Sequence, residues 1–334
     1  MIRDASSARR DGIALRRLVS MASVPLAGTP SPVEDLPRLR EALRGGPQLL
    51  VKRDDAIPFG FGGNKVRKLE MVLQRAKIAR ADALVTTGGI QSNHARATAA
   101  FAAKLGMRCV IVANGTPPER LSGNALLNHL LGAEVEYVAT PADRTAGMEA
   151  VAARLKEEGH TPYVIPLGAS TPVGAAGIAR AVGEMLQQGV NPDVIIHASA
   201  SGGTQAGLVV GCALNGLRTK VIGVSADESA AIIEPRVREI IVGLGELVNA
   251  SDDQLGVREP ILVDDRHVGD GYGISTEASR EAQLLMARTE ALFVDHTYTA
   301  KALAALIEYV RDGRFMDRDT VLFWHTGGQP AIFA

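Results

Sequence analysis

From residue 83 onward the chain alternates short β-branched runs with longer Ala- and Leu-rich stretches, and this alternation limits the fold more than any other feature. The runs are 83–87, 108–113, 134–138, 162–166, 193–198, 220–225 and 320–325. Most read as nearly continuous apolar segments, as strands do when both faces of a parallel sheet are covered. Helical patterns lie between them, among them 95–105, 122–131, 175–188 and 277–289. Strand–helix alternation of this kind predicts an α/β fold with parallel sheets covered by helices. The polar, Gly- and Asp-rich stretch 252–273 reads as a long excursion, and such loops are often functional. Pro, Gly and Ser at 166–174 mark a place for the chain to cross between domains.

Composition removes several function classes. A formal net charge of -1, with no long run of one sign, argues against a nucleic-acid or membrane-surface partner. No run of about 18 apolar residues is present to span a membrane. Cys109 and Cys212 are too few for a disulfide framework or a metal cluster, so no metal site is expected. Both lie in apolar stretches and read as core residues of a protein in the reducing cytoplasm. Residues 1–22 are rich in Arg and Ser, lack the apolar core of a secretory signal, and read as a disordered arm. Met21 is an alternative start.

Three glycine-bearing turns follow apolar runs: 87–93, 201–207 and 325–328. In an open parallel sheet, ligands bind at the carboxyl ends of strands. A turn there that opens a helix points free N–H groups at an anion. The second turn suits this best: Gly202 and Gly203 allow close backbone approach, and Thr204 adds a hydroxyl. Its residues alone leave two readings open, a phosphate cup or a helix cap behind a tight turn. It has neither P-loop nor dinucleotide spacing. Ser92 and Asn93 would ordinarily cap a helix, and the G-x-S-x-G of a serine hydrolase is absent. Lys65 follows Gly62-Gly63-Asn64 just before a helical pattern over 66–80. A surface lysine is the ordinary reading, although a cation at a helix start is unfavourable with the dipole.

In order and spacing, the blocks VKRDD, GGNKVRKLE, TTGGIQSNHARATAAFAAKLG, SGGTQAG, GYG, DHTYTAKAL and FWHTGGQPAIFA resemble one family. It is the 1-aminocyclopropane-1-carboxylate deaminase and D-cysteine desulfhydrase family. These are pyridoxal-phosphate enzymes of fold type II, the two-domain tryptophan-synthase β-subunit fold. The resemblance implies a large domain over 23–67 and 176–334, a small α/β domain over 68–175, and a homodimer. It implies that Lys65 is the Schiff-base lysine, with Asn64 near the cofactor. Ser201, Gly202, Gly203 and Thr204 match the cup for the cofactor's phosphate, and Thr326 the residue beside the pyridine nitrogen. Ser92 and Asn93, with Gln91 in the same loop, match the holders of the substrate carboxylate; Tyr272 and Tyr298 match the two active-site tyrosines.

Thr299 and Thr326 resemble the D-cysteine desulfhydrase side, since the deaminases carry Glu and Leu there. A carboxylate beside the ring nitrogen would keep it protonated. A threonine hydroxyl leaves the ring a weaker electron sink, which favours β-elimination from a substrate with a good leaving group on Cβ. The expected reaction is D-cysteine to pyruvate, ammonia and hydrogen sulfide. L-Cysteate or another β-substituted alanine is an alternative, because His296, Thr297 and Ala300 depart from the family pattern beside Tyr298. Opening of the cyclopropane ring is a weaker alternative, and a non-catalytic homologue the weakest.

Overall fold

Side-chain alternation along the strands explains the two layers that flank each sheet. The computed structural model describes residues 5–334. Its larger sheet comprises β1 (Val33–Asp35), β2 (Gln48–Arg53), β7 (Val194–Ser199), β8 (Lys220–Ser225), β9 (Leu262–Asp264) and β10 (Thr320–His325). Their order is β1-β2-β10-β7-β8-β9. Only β1 runs antiparallel to its neighbour. Phe323 pairs with Val51 on one side and Ile196 on the other. Successive residues of a strand face opposite ways. Val321 and Phe323 therefore pack with Leu303 and Leu306 of helix Thr299–Arg311, whereas Leu322 and Trp324 pack with Ile178, Val182 and Leu208 on the other face.

The second sheet comprises β3 (Ala83–Gly88), β4 (Arg108–Asn114), β5 (Glu134–Val138) and β6 (Pro162–Ile165), in the order β5-β4-β3-β6 and all parallel. Leu84, Cys109 and Ile111 face helices Asn64–Ile78 and Asn93–Leu105, and Val85, Val110 and Val112 face helix Arg144–Glu157. Both cysteines are buried, and burial pushes each thiol up to about 12, which leaves them unreactive. No helix among the described residues is long and apolar enough to cross a membrane.

Helix Pro172–Gln187 locks the frame. An added Cβ at Gly177 would lie 2.1 Å from the carbonyl oxygen of Arg67, so only glycine lets this helix approach helix Asn64–Ile78 so closely. Ion pairs reinforce the contact. Arg67 reaches Asp54 and Glu184, both at 2.8 Å, and Lys52 reaches Glu184 at 2.6 Å.

The expectation of a disordered arm over 1–22 is corrected. Residues 5–20 form a helix, Ala5–Ser20, whose Ala14 and Leu18 are buried against Ile233, Val237 and Leu244 of helix Ala230–Val248. The Arg- and Ser-rich composition masked this i, i+4 apolar pair, and helices bind through such faces rather than through average polarity. Residues 1–4 lie outside the described residues.

Candidate active site

Lys65 stands where the ends of two strands are stitched together. After β2 the chain turns through Gly62 and Gly63, both with positive φ. A Cβ on Gly62 would lie 2.5 Å from the Asp55 carbonyl. Gly63 N–H donates to the Asp54 carbonyl at 2.8 Å, and Asn64 N–H to the Thr326 carbonyl at 3.1 Å. The helix begins at Asn64, two residues earlier than expected, so Lys65 belongs to its first turn. The residue as a whole is half-buried. Burial brings it down to about 8, against a hydrogen bond with Lys68 that favours the charged form. A lysine near neutrality holds both a free amine and a proton within reach.

Lys68 lies three residues on, hence on the same helix face, and is fully buried. Burial first, then the Lys65 charge, pull it well below its ordinary value. Burial and these two lysines likewise hold His94 well below its ordinary value and His197 at about 4. No carboxylate among the described residues contributes to the charge balance of any of the four. Burial without a counter-charge holds these groups toward their neutral forms, and an anionic ligand among them would favour the charged forms again.

The turn 201–204 meets this group. Gly202 is left-handed at φ 80, and helix Gly203–Leu214 begins directly after it. Ser170 Oγ accepts from Gly203 N–H at 3.3 Å and from Lys68 Nζ at 3.1 Å, and lies 2.7 Å from Ser201 Oγ. Asn64 Nδ2 donates to Thr204 Oγ1 at 2.8 Å, which ties the Lys65 turn to the cup. A Cβ on Gly203 would lie 2.9 Å from Lys68 Nζ and 2.8 Å from Ser170 Oγ. Backbone, hydroxyls and a lysine thus converge on one point, as an anion requires. Lys68 and Ser170 were missed from sequence. The i, i+3 spacing would have found Lys68; Ser170 had no local signal.

Ser92 caps helix Asn93–Leu105 by accepting from Ala95 N–H at 3.2 Å. The ordinary capping reading therefore holds for its hydroxyl, at the carboxyl end of β3. Asn93 Oδ1 accepts from Asn124 Nδ2 at 2.9 Å. Gln91 is committed elsewhere: its Oε1 accepts from Asn124 N–H at 2.8 Å, and its Nε2 donates to the Ser122 carbonyl at 3.2 Å.

Tyr272 and Tyr298 come together although 26 residues apart, their hydroxyls 2.6 Å from each other and their rings edge to face at 5.7 Å. The Tyr272 ring passes 4.0 Å from where a Cβ on Gly89 would lie, so the pair faces the turn before Ser92. Burial raises Tyr272, and burial together with Tyr272 raises Tyr298 well above 10; both stay protonated at neutral pH. The pair is held from beneath. Lys301, fully buried, donates to the carbonyls of Val268, Gly271 and Ala226 at 2.7, 2.9 and 3.2 Å. Asp295 accepts from the N–H groups of Thr297, Tyr298 and Thr299 and, at 2.6 Å, from the Thr299 hydroxyl. Thr299 is thereby occupied, whereas the Thr326 hydroxyl makes no hydrogen bond with any described residue. His296 is half-buried.

A family model described as pyridoxal-phosphate dependent enzyme matches residues 24–327. A solved ACC deaminase homologue is 32% identical, covers 96% of this chain and 96% of its own, and superposes with a TM-score of 0.88. Threonine deaminase isoform 2 from Solanum lycopersicum has 17% identity, coverages of 97% and 85%, and a TM-score of 0.65. A fungal L-serine ammonia-lyase from Rhizomucor miehei has 18% identity, coverages of 93% and 96%, and a TM-score of 0.66. At these identities the last two share the fold alone.

Proposed function

The chain belongs to the pyridoxal-phosphate dependent enzyme family, and on that premise we propose that it is a β-elimination lyase on a β-substituted amino acid, most like a D-cysteine desulfhydrase. The observation that carries this reading is the tyrosine pair, kept protonated and set over Gly89 in the turn that leads to Ser92. An acid at that place serves a departing group.

The residues fit the cofactor. Ser201 to Thr204, Ser170 and Lys68 would hold its phosphate, in a cradle that a Cβ on Gly203 would fill. Lys65 would be its covalent anchor, and the free hydroxyl of Thr326 would donate to the pyridine nitrogen without charging it. When bound, pyridoxal phosphate supplies an electron sink for the charge developing at the substrate's Cα. Ser92 and Asn93 hold the substrate carboxylate. Lys65, poised near neutrality, removes the α-proton. Tyr298, hydrogen-bonded to Tyr272, donates to the group leaving Cβ. The Thr326 hydroxyl, in place of a carboxylate, suits a reaction in which that group departs quickly.

The small sheet would close with residues 68–175 over a substrate held by 23–67 and 176–334, excluding water. A cytoplasmic homodimer is the assembly and location that this reading implies. The test is a panel of D- and L-β-substituted alanines, read as pyruvate and as the leaving group, with Lys65→Ala alongside. We expect hydrogen sulfide and pyruvate from D-cysteine, and neither product nor the lysine-bound cofactor's visible absorbance from the variant. A variant that turns over at the normal rate, or loaded enzyme inert toward the whole panel, overturns the reading.

A further inference from the structure

Arg144 opens helix Arg144–Glu157 and is half-buried. Its Nε and Nη2 both donate to Asn114 Oδ1, the former at 3.1 Å. No acidic side chain among the described residues lies within ion-pair distance of it. Its neighbours on the small sheet differ: Arg108 pairs with Glu134 and Glu158, and Arg154 with Glu136 and Glu158. A guanidinium has five N–H donors in a fixed fork, so most of Arg144's capacity stays open.

Its position gives that capacity a direction. Asn114 ends β4, one residue beyond Ala113, which pairs with Gly88 of β3. Asn114 and Gly89 therefore leave adjacent strands side by side, about 5 Å apart. The Tyr272 ring lies over Gly89. Arg144 and the tyrosine pair thus flank one turn; Tyr272, Tyr298 and Asp227 are its electrostatic neighbours, and burial, the larger influence, holds it below its ordinary value. Asp227 is exposed and makes no ion pair with it.

We infer that Arg144 determines specificity: it receives an anionic group carried on the substrate's Cβ, a sulfonate, carboxylate or similar oxyanion, and seats it beside Tyr272 and Tyr298. This rests on the elimination reading above and, within its substrate class, ranks β-substituents that carry an oxyanion above the thiol of cysteine. The guanidinium, already held by Asn114, offers two further N–H groups to one oxyanion, and charge-assisted bonds of this kind are the strong ones. A neutral side chain gains nothing from them.

The experiment uses cofactor-loaded enzyme, Arg144→Met, Arg144→Lys and Asp227→Asn. Titrating the cofactor's visible absorbance with aspartate and with asparagine needs no turnover and compares ligands equal in size and different in charge. Wild type is expected to favour aspartate, and Arg144→Met to erase that preference, roughly tenfold to a hundredfold, the worth of a hydrogen bond to a charged group. Arg144→Lys should restore part of it. In parallel, the kcat/KM ratio of cysteate to β-chloroalanine should fall in Arg144→Met by a similar factor. Wild type that binds the two amino acids alike or not at all overturns the inference. So does an equal loss for both substrates, or an Asp227→Asn variant with the same phenotype, which would make Arg144 a partner of Asp227. If β-chloroalanine and cysteate are both inert, the elimination reading fails, while the titration still decides Arg144.

Discussion

Around Lys65 the site is made of backbone and fully enclosed side chains. Gly62, Gly63, Gly202 and Gly203 bring main chain to within contact of main chain, and Lys68, His94 and His197 are buried with no carboxylate to lean on. Around Tyr272 the materials are different. Tyr272 is 43% exposed, in a polar stretch joined to helix Thr299–Arg311 by the ammonium of Lys301 and by the hydroxyl pair itself. One end is shaped to receive the same rigid anion in every cycle. The other is suited to admit a substrate and release a product. Rigid preorganisation is worth most where the ligand never leaves, and exposed segments of low local stability serve where it must.

The largest effect should come from filling the rigid end. Gly203→Val places branched carbon where Lys68 Nζ and Ser170 stand 2.9 and 2.8 Å from a single Cβ. Cofactor affinity should drop by about a hundredfold, roughly 3 kcal/mol, since packed sites do not yield to overfilling; absorbance titration measures it. A variant that binds cofactor normally would show that this end is as adaptable as the other.

A second effect separates the ends by pH. The unfolded chain keeps Lys65 charged up to its ordinary 10.5, and the folded cofactor-free protein only up to about 8. Between those values the unfolded state binds more protons, so stability rises with pH, by about 2 kcal/mol after allowance for solvent around the half-buried residue. Denaturant unfolding of cofactor-free protein at pH 7.5 to 10.5, a span chosen around that window, should show it. The loaded enzyme, with Lys65 engaged, should lack that slope.

The smallest of the three touches the exposed end. Lys301→Met removes three donors at once and frees the stretch that carries Tyr272. We expect kcat to fall about tenfold, about 1.4 kcal/mol in the barrier, with the cofactor absorbance kept. Loss of the absorbance instead would mean that the two ends are one unit.

The α/β frame was legible because parallel strands buried on both faces leave a direct trace in residue order. All seven expected strands are present within a residue or so, from Ala83–Gly88 to Thr320–His325. β2 was not read as a strand because Lys52 and Arg53 interrupt its apolar run. Lys52 is buried there only because Glu184, far along the chain, meets it. β1 and β9 are three-residue edge strands, too short for any period to show.

The sequence by itself determined the family, the lysine behind its glycines, and the serine- and glycine-rich turn, since close backbone approach can be met by few residue types and so appears as a motif. Tertiary structure alone decided the rest. Ser170 joins the cup, Asn124 occupies Gln91, and Arg144 is held by Asn114 and left without an acid. Each of these depends on side chains from distant segments arriving within hydrogen-bond reach, and no local spacing encodes that distance.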